Sequence, residues 1–333
     1  MLRGFEVSRL LRLVADLGIA DHIDEDGVVR VEELAAAAAV LPDQLLRVLR
    51  GLASFGVFRT TPDGAVAHTN LSRLLRSDVP NSMRHGARFW TAPGSWAAWG
   101  QLDAAMTGGV PHVAAWQQGR FEYLADHPDE ARIFDQTMAN SPDNRLPAIA
   151  AAYDFSSARV IVDVGGGTGE ALRQILSRHP APVGVVFDRE DVVTAIGEDP
   201  RALLHGRITL RSGDFFHEVP AGGDVYLLLR ILHDWSDADC VRILRSCRAA
   251  MTSSSVLLVG ELILEPDPTR GQALDYLVDL QMMAMFGSAR ERTTSEFESL
   301  FHAAGFELRA VTATASSAWL IEAAPVGGEH AAR

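Results

Sequence analysis

Three stretches of the chain carry side chains whose types and spacing can do chemistry. "VIVDVGGGTGE", Val160–Glu170, sets Asp163 at the end of an apolar run, then Gly165, Gly166 and Gly167, then Thr168-Gly169 leading into a helical pattern. "VVFDRED" places Asp188 at the end of a second such run, and "SGDFF" puts Asp214 and Phe215 after a third. "LLLRILHDWSDADC", Leu227–Cys240, holds Arg230 and His233 where a leucine-rich strand should be ending. A neutral imidazole with a pKa of about 6.5 is a useful base at neutral pH. On the residues alone, a histidine in that place is more often the polar boundary at which a strand meets water.

The glycine run reads as a strand-to-helix turn that a nucleotide can approach closely. The dinucleotide fingerprint needs a third glycine three residues after the second, and with Gly165 and Gly167 that position is Glu170, so the fingerprint fails. What remains, D-x-G-x-G-x-G, has an acidic lining that suits a cationic ligand without phosphate, and S-adenosylmethionine fits. Asp188 is then placed for the ribose hydroxyls, and Asp214 for the adenine edge with Phe215 on its face. Each acid lies at a predicted strand end, on the carboxyl edge where open α/β sheets bind ligands.

These residues need a sheet to hold them, and the chain has the material for one. It has 333 residues, 47% of them apolar, enough for a large core and two domains. From residue 5 to about 150 the apolar residues recur at helical spacing. Within that half, "RVEELAAAAAVLPDQLLRVLRGLASFGVFRTTPDGAVAHTN" has the helix, turn, helix, hairpin order of a winged helix. After Tyr153, five short β-rich runs alternate with helical segments, which argues a parallel sheet with crossover helices, and Phe306–Ala324 supplies two more strands. The expected division is a helical, winged-helix domain over 1–150, a Rossmann-like domain over 151–326 and a flexible tail over 327–333.

Net charge −13 argues against nucleic acid as the main partner and makes the winged helix a packing or dimerisation module. All thirty basic residues are arginine, which removes lysine bases and Schiff bases from consideration. Cys240 and Cys247, seven apart on one predicted helix, suit reduced thiols better than a disulfide or a metal site. The apolar stretch near the N-terminus is interrupted by Arg9, Arg12 and Asp16 at helical spacing and reads as an amphipathic helix, and no apolar run reaches membrane-spanning length. The expectation is a cytoplasmic protein with neither membrane nor metal partners.

With these motifs in hand, the sequence resembles the S-adenosylmethionine-dependent O-methyltransferases of the plant caffeate and bacterial antibiotic-tailoring type. The resemblance covers essentially the whole chain. It is carried by "GFEVSRLLRLVADLGIADHI", "FEYLADHPDEARIFDQTMANS", "VDVGGGTG", "LLLRILHDWSDADC", "LLVGELIL" and "RERTTSEFESLFHAAGF". It implies a homodimer joined through the helical domain, and methyl transfer to a hydroxyl of a small aromatic molecule. The family's cofactor contacts fall on Gly165, Asp188, Asp214, Phe215 and Arg230, and its catalytic histidine on His233, flanked by Glu261 and Glu291. Its pocket positions fall on Met138, Met282 and Phe286, with Phe89 and Trp90.

The chain departs from the pattern in carrying Arg230 for the usual lysine, "FDRE" for "FDLP", and Ser288-Ala289 for a Gly-Gly pair ahead of Glu291. "FDRE" resembles bacterial phenazine methyltransferases and keeps N-methylation of a heteroaromatic open. Two further readings compete: hydroxylation or decarboxylation on the same fold, and a regulator that senses a small molecule.

Overall fold

A computed structural model of the chain describes residues 2–139, 145–197 and 203–327, except for the side chains at 135, 138, 139 and 197. It divides into two compact units, Met1–Pro142 and Asp143–Arg333. The helix Arg145–Ala151 therefore belongs with the second unit, ahead of the position where strand texture begins in the sequence. All of the expected tail but Gly327 lies outside the described residues.

The first unit is helical around a small antiparallel sheet. Helix Pro42–Ala53 starts with proline in its first turn, where the missing N–H has no partner to lose. It buries Leu45, Leu49 and Leu52, one stripe at helical spacing, against Val14, Ile19, Ile23, Leu34 and Phe58. The hairpin around Pro62-Asp63-Gly64 forms as the sequence suggests, with Gly64 at φ 85. A third strand joins it that the sequence does not announce. Strands β1 (Val28–Arg30), β2 (Phe58–Thr60) and β3 (Ala65–His68) pair in the order β1-β3-β2, so the wing has an outer strand supplied from ahead of the first helix of the pair.

The second unit is built on a seven-stranded sheet. Its strands are β4 (Val160–Val164), β5 (Val183–Asp188), β6 (Ile208–Ser212), β7 (Val225–Leu229), β8 (Val256–Glu261), β9 (Phe306–Ala313) and β10 (Trp319–Pro325). Their order is β6-β5-β4-β7-β8-β10-β9, with the first five parallel and β10 antiparallel to both its neighbours. Both faces are covered: Val162, Tyr226, Leu228 and Val259 enter one core, while Ile161, Val225, Leu227 and Leu258 enter the other. Burial on both faces is why "VYLLL" reads as a continuous apolar run rather than an alternating one.

The chain winds outward from β4 through β5 to β6, then returns to place β7 on the other side of β4. That reversal opens a crevice at the carboxyl ends of β4 and β7, the place where such sheets bind ligands. Asp163 lies at the carboxyl end of β4, Asp188 at that of β5 and Glu261 at that of β8, with Arg230 and His233 just beyond β7.

Candidate active site

The glycine turn is shaped by backbone requirements. Gly165, Gly167 and Gly169 have φ of 72, 53 and 73, which few side chains tolerate. A Cβ on Gly165 would also stand 2.5 Å from Ile231 Cδ1, and one on Gly166 would stand 2.8 Å from the Asp163 carboxylate. Gly165 N–H donates to Phe187 O at 2.8 Å, and Gly167 N–H to Asp188 Oδ2 at 2.9 Å, tying the turn to the end of β5.

Asp163 is buried, and its Oδ2 has no hydrogen-bond partner. Burial, with the charge of Asp188 adding to it, pushes its carboxyl up to about 7. A buried carboxylate oxygen without a donor is costly, and a cationic or N–H-bearing ligand would relieve that cost. The paired acids repel phosphate. Their donor chemistry therefore fits S-adenosylmethionine, which carries a sulfonium and an ammonium group.

Asp214 is engaged within its own turn: Oδ1 accepts from Phe216 N–H, and His217 Nδ1 lies 2.8 Å from Oδ2. The backbone bond, followed by the histidine, holds its carboxyl below the usual range. His217, which reads from sequence as an unattached surface residue, is thus tied to a site acid. Phe215 and Phe216 meet Trp235 edge-on at 5.9 and 4.7 Å between ring centres. Phe215 borders the glycine turn, since its Cε1 would be 3.7 Å from a Cβ on Gly165.

At the end of β7 the chain turns sharply. Arg230 adopts φ 58, uncommon for a residue with a side chain, while its N–H donates to Gly260 O at 2.9 Å. Burial and the neighbouring Arg145 hold its guanidinium below the usual pKa. A short 3₁₀ turn, Leu232–Asp234, follows and buries His233. Ser236 then caps helix Asp237–Ala250 by accepting from Asp239 N–H, and that helix carries both cysteines inward.

His233 Nδ1 lies 2.6 Å from Glu261 Oε2, and Glu261 Oε1 accepts Leu232 N–H at 2.8 Å. One buried carboxylate at the end of β8 thus holds both the imidazole and the backbone beside it. Nε2 lies 3.3 Å from Asp234 Oδ1, a neighbour whose place in the sequence suggests only a role in turn shape or on the cofactor side. Burial works against a charged ring, but Glu261 and Asp234 outweigh burial and Arg230 together, raising His233 to about 10.

Glu291 is also buried, with one of its carboxylate oxygens within 4.8 Å of a ring nitrogen of His233 and a carboxylate oxygen of Glu261. Neither of its oxygens has a hydrogen-bond partner, so Glu261 alone of the two bonds the imidazole. Burial first, and the nearby carboxylates of Glu261 and Asp279, push Glu291 up to about 7 against the pull of His233 and Arg230. Its N–H donates to Asp279 Oδ1 at 2.9 Å, which fixes the loop despite Ser288-Ala289.

The expected pocket residues divide between the units. Met282 and Phe286 are half-buried on helix Ala273–Phe286, and Met285 is buried behind them. In the first unit Trp90 is exposed, edge-on to buried Phe89 at 5.0 Å. The side chain of Met138 lies outside the described residues.

Sequence profiles add two matches: an O-methyltransferase domain over residues 99–307 and an O-methyltransferase dimerisation domain over residues 1–78. The chain belongs to the O-methyltransferase family. Among curated proteins, this O-methyltransferase is 40% identical to "Phenazine O-methyltransferase PhzM" of Lysobacter antibioticus, over 98% of this chain and 95% of that protein. It is 34% identical to "Phenazine-1-carboxylate N-methyltransferase" of Pseudomonas aeruginosa, over 91% of this chain and 89% of that one. Among solved structures it resembles the O-methyltransferase NcsB1 from neocarzinostatin biosynthesis, with TM-score 0.80 and 30% identity over 96% of each chain. That structure is a complex with S-adenosylmethionine and 2-hydroxy-5-methyl naphthoic acid. The protein is an S-adenosylmethionine-dependent O-methyltransferase of secondary metabolism. Among the described residues, no helix is long and apolar enough to cross a membrane.

Proposed function

We propose that the enzyme methylates a hydroxyl of a small aromatic metabolite, with His233 as the base that takes the hydroxyl proton. The observation that carries this reading is the 2.6 Å contact between His233 Nδ1 and Glu261, whose other oxygen is already fixed by Leu232 N–H. Orientation by a buried carboxylate keeps the Nδ1 proton in place, so that Nε2, once it has released its own proton, is the position that takes the acceptor's.

S-adenosylmethionine, when bound, supplies an electrophilic methyl group for in-line displacement at carbon. The chain's own part is to hold and orient. Asp163 and Asp188 would receive the cationic and hydroxyl groups of the cofactor, with Gly165 and Gly167 giving close approach. Asp214 and Phe215 would border the adenine, and Arg230 would face the cofactor from β7. Met282 and Phe286 offer an apolar, adaptable surface to a flat ring.

The electrostatics suit a phenol. Glu261 and Asp234 raise the basicity of His233 toward that of a phenolate, which eases transfer of a phenol's proton to the ring. Glu261 and Asp234 then stabilise the charged ring while the phenolate oxygen waits for the methyl group. A heteroaromatic nitrogen with no proton to lose would make no use of this arrangement.

The test is direct. His233→Gln should bind the cofactor normally and lose about a hundredfold to ten-thousandfold in the rate of S-adenosylhomocysteine formation with a panel of phenols. Undiminished turnover would remove His233 from the reaction, and mass and NMR analysis of the product separates O- from N-methylation. The dimerisation profile over residues 1–78, together with the exposed Leu2, Phe5, Leu41, Phe55 and Leu71 in that segment, supports a homodimer. Light scattering of the purified protein is expected to give the mass of two chains.

A further inference from the structure

Arg292 is completely buried, the largest of the fully buried side chains among the described residues. A buried guanidinium is costly to keep, several kcal/mol in principle, unless nearly all its donors are met. Here they are met by backbone. Nη1 donates to Leu232 O at 2.8 Å and to Arg290 O at 3.3 Å, and Nη2 donates to Trp235 O at 2.8 Å. Nε donates to Asp237 Oδ1 at 2.9 Å, at the start of the helix that follows.

Leu232 O and Trp235 O bracket His233 and Asp234. The 3₁₀ turn between them is weakly held by its own bonds, Asp234 N–H to Ile231 O at 3.2 Å and Trp235 N–H to Leu232 O at 3.3 Å. The planar fork of Arg292 therefore spans the turn that carries the imidazole and closes it from behind.

The strip around Arg292 is anchored on both sides. Arg290 N–H donates to His233 O at 2.9 Å, and Leu264 N–H donates to Arg292 O at 2.9 Å, beside a parallel bridge between Ile263 and Arg292. Glu291 stands between two residues that both grip the His233 turn, with its own N–H on Asp279. The histidine and this carboxylate are thus set in one backbone frame, continuous with the extension of β8 that carries Glu261.

We infer that Arg292 is a positioning residue for His233: its guanidinium fixes the turn so that Nδ1 stays on Glu261 and Nε2 faces the acceptor. It touches neither substrate nor cofactor in this role and acts only through the turn. The inference rests on His233 as the base for its effect on rate, but not for its effect on the imidazole itself.

Arg292→Lys keeps the charge but replaces the fork with a point donor that cannot span both carbonyls. A loosened turn lengthens the His233–Glu261 contact. The groups facing the ring are Glu261 from β8, Asp234 from its own turn, Arg230 from the end of β7 and Glu291 from the loop. Weakening the Glu261 contact lowers the pH at which the ring loses its proton.

The experiment uses the full-length enzyme with S-adenosylmethionine and a phenol it turns over. It combines kcat and cofactor KM with an NMR titration of His233, assigned by its absence in His233→Gln. Arg292→Lys is expected to lower kcat by roughly ten- to a hundredfold per folded molecule, the scale of a sub-ångström to ångström misplacement. Cofactor KM should stay unchanged and the His233 titration should move to lower pH. A titration that stays in place overturns the inference, whether or not kcat falls. A titration that moves while kcat is unchanged supports the positioning role and removes His233 as the base. If Arg292→Lys does not fold, Asp237→Ala removes the carboxylate that meets both Nε and Nη2, leaving the backbone contacts in place, and is expected to move both readouts in the same direction by less; no movement there overturns the inference as well.

Discussion

Glu261→Gln is the sharpest test of how the site works. The substitution keeps the shape and removes one charge. Glutamine can still accept Leu232 N–H through Oε1, as Glu261 does at 2.8 Å, but its NH₂ group then faces His233 Nδ1. To be satisfied, Nδ1 must become the acceptor, which moves the ring proton to Nε2 and blocks the basic position. The reversed amide would restore the useful tautomer while setting NH₂ against the buried Leu232 N–H, an unmet donor costing about 1–3 kcal/mol. That difference leaves the useful tautomer roughly five- to 150-fold less populated.

The lost charge adds to this. Without the main group opposing burial, His233 falls from about 10 and its conjugate acid no longer matches a phenol. Together these place the expected loss in kcat between about a hundredfold and ten-thousandfold. Single-turnover methyl transfer with labelled cofactor measures it, with cofactor affinity unchanged. Glu291→Gln is the contrast, because neither Glu291 oxygen bonds the ring, and a loss of less than about tenfold is expected there. If Glu261→Gln kept kcat within a few-fold of the native enzyme with the same pH profile, the tautomer argument would be refuted.

Further outcomes follow from the same charges. With His233 near 10, the free enzyme holds an imidazolium at neutral pH, and binding a phenol must release a proton; kcat/KM is expected to rise with pH between 7 and 10, and calorimetry in two buffers should detect the released proton. The folded His233 lies above its unfolded value near 6.5, so the stability it contributes is full below pH 6.5 and is lost as pH rises through 10; denaturant unfolding should show Glu261→Gln most destabilised near pH 6. Asp163 lies near 7, above an unfolded value near 4, so its ionisation costs stability as pH climbs past 4; Asp163→Asn is expected to raise Tm at pH 8 while weakening cofactor binding by roughly ten- to a hundredfold, read by titration calorimetry.

Much of the candidate site was legible because it is built from side-chain types at strand ends. The apolar runs before Asp163, Asp188, Arg230 and Glu261 announced strands buried on both faces, and each polar residue marks where its strand leaves the core. The glycine turn was legible because few other residues tolerate its backbone angles. Arg292 was not, since an arginine in "RERTT" reads as surface, and most of the atoms that justify burying it are carbonyl oxygens with no sequence signature. The outer wing strand Val28–Arg30 escaped for a related reason: it is only three residues long, and Val-Val-Arg shows no apolar–polar alternation in the sequence. The approach of Asp234 to Nε2 depends on the turn after Arg230, whose left-handed angle nothing in "LLLRILHD" signals.

Cys240 gives the turn a built-in chemical reporter. Its Sγ lies 3.1 Å from Leu232 O, the carbonyl that Arg292 also holds, and burial pushes its thiol up to about 12. The sulfur can react with a disulfide reagent only when that packing opens, because the reactive species is the thiolate. Cys247, seven residues further along the same helix, is as deeply buried and serves as the control for opening of the core. The two labelling rates, measured on one unmodified protein, separate breathing of the histidine turn from unfolding of the sheet around it. A bound cofactor or acceptor that slows the first rate without changing the second would be acting on the turn alone.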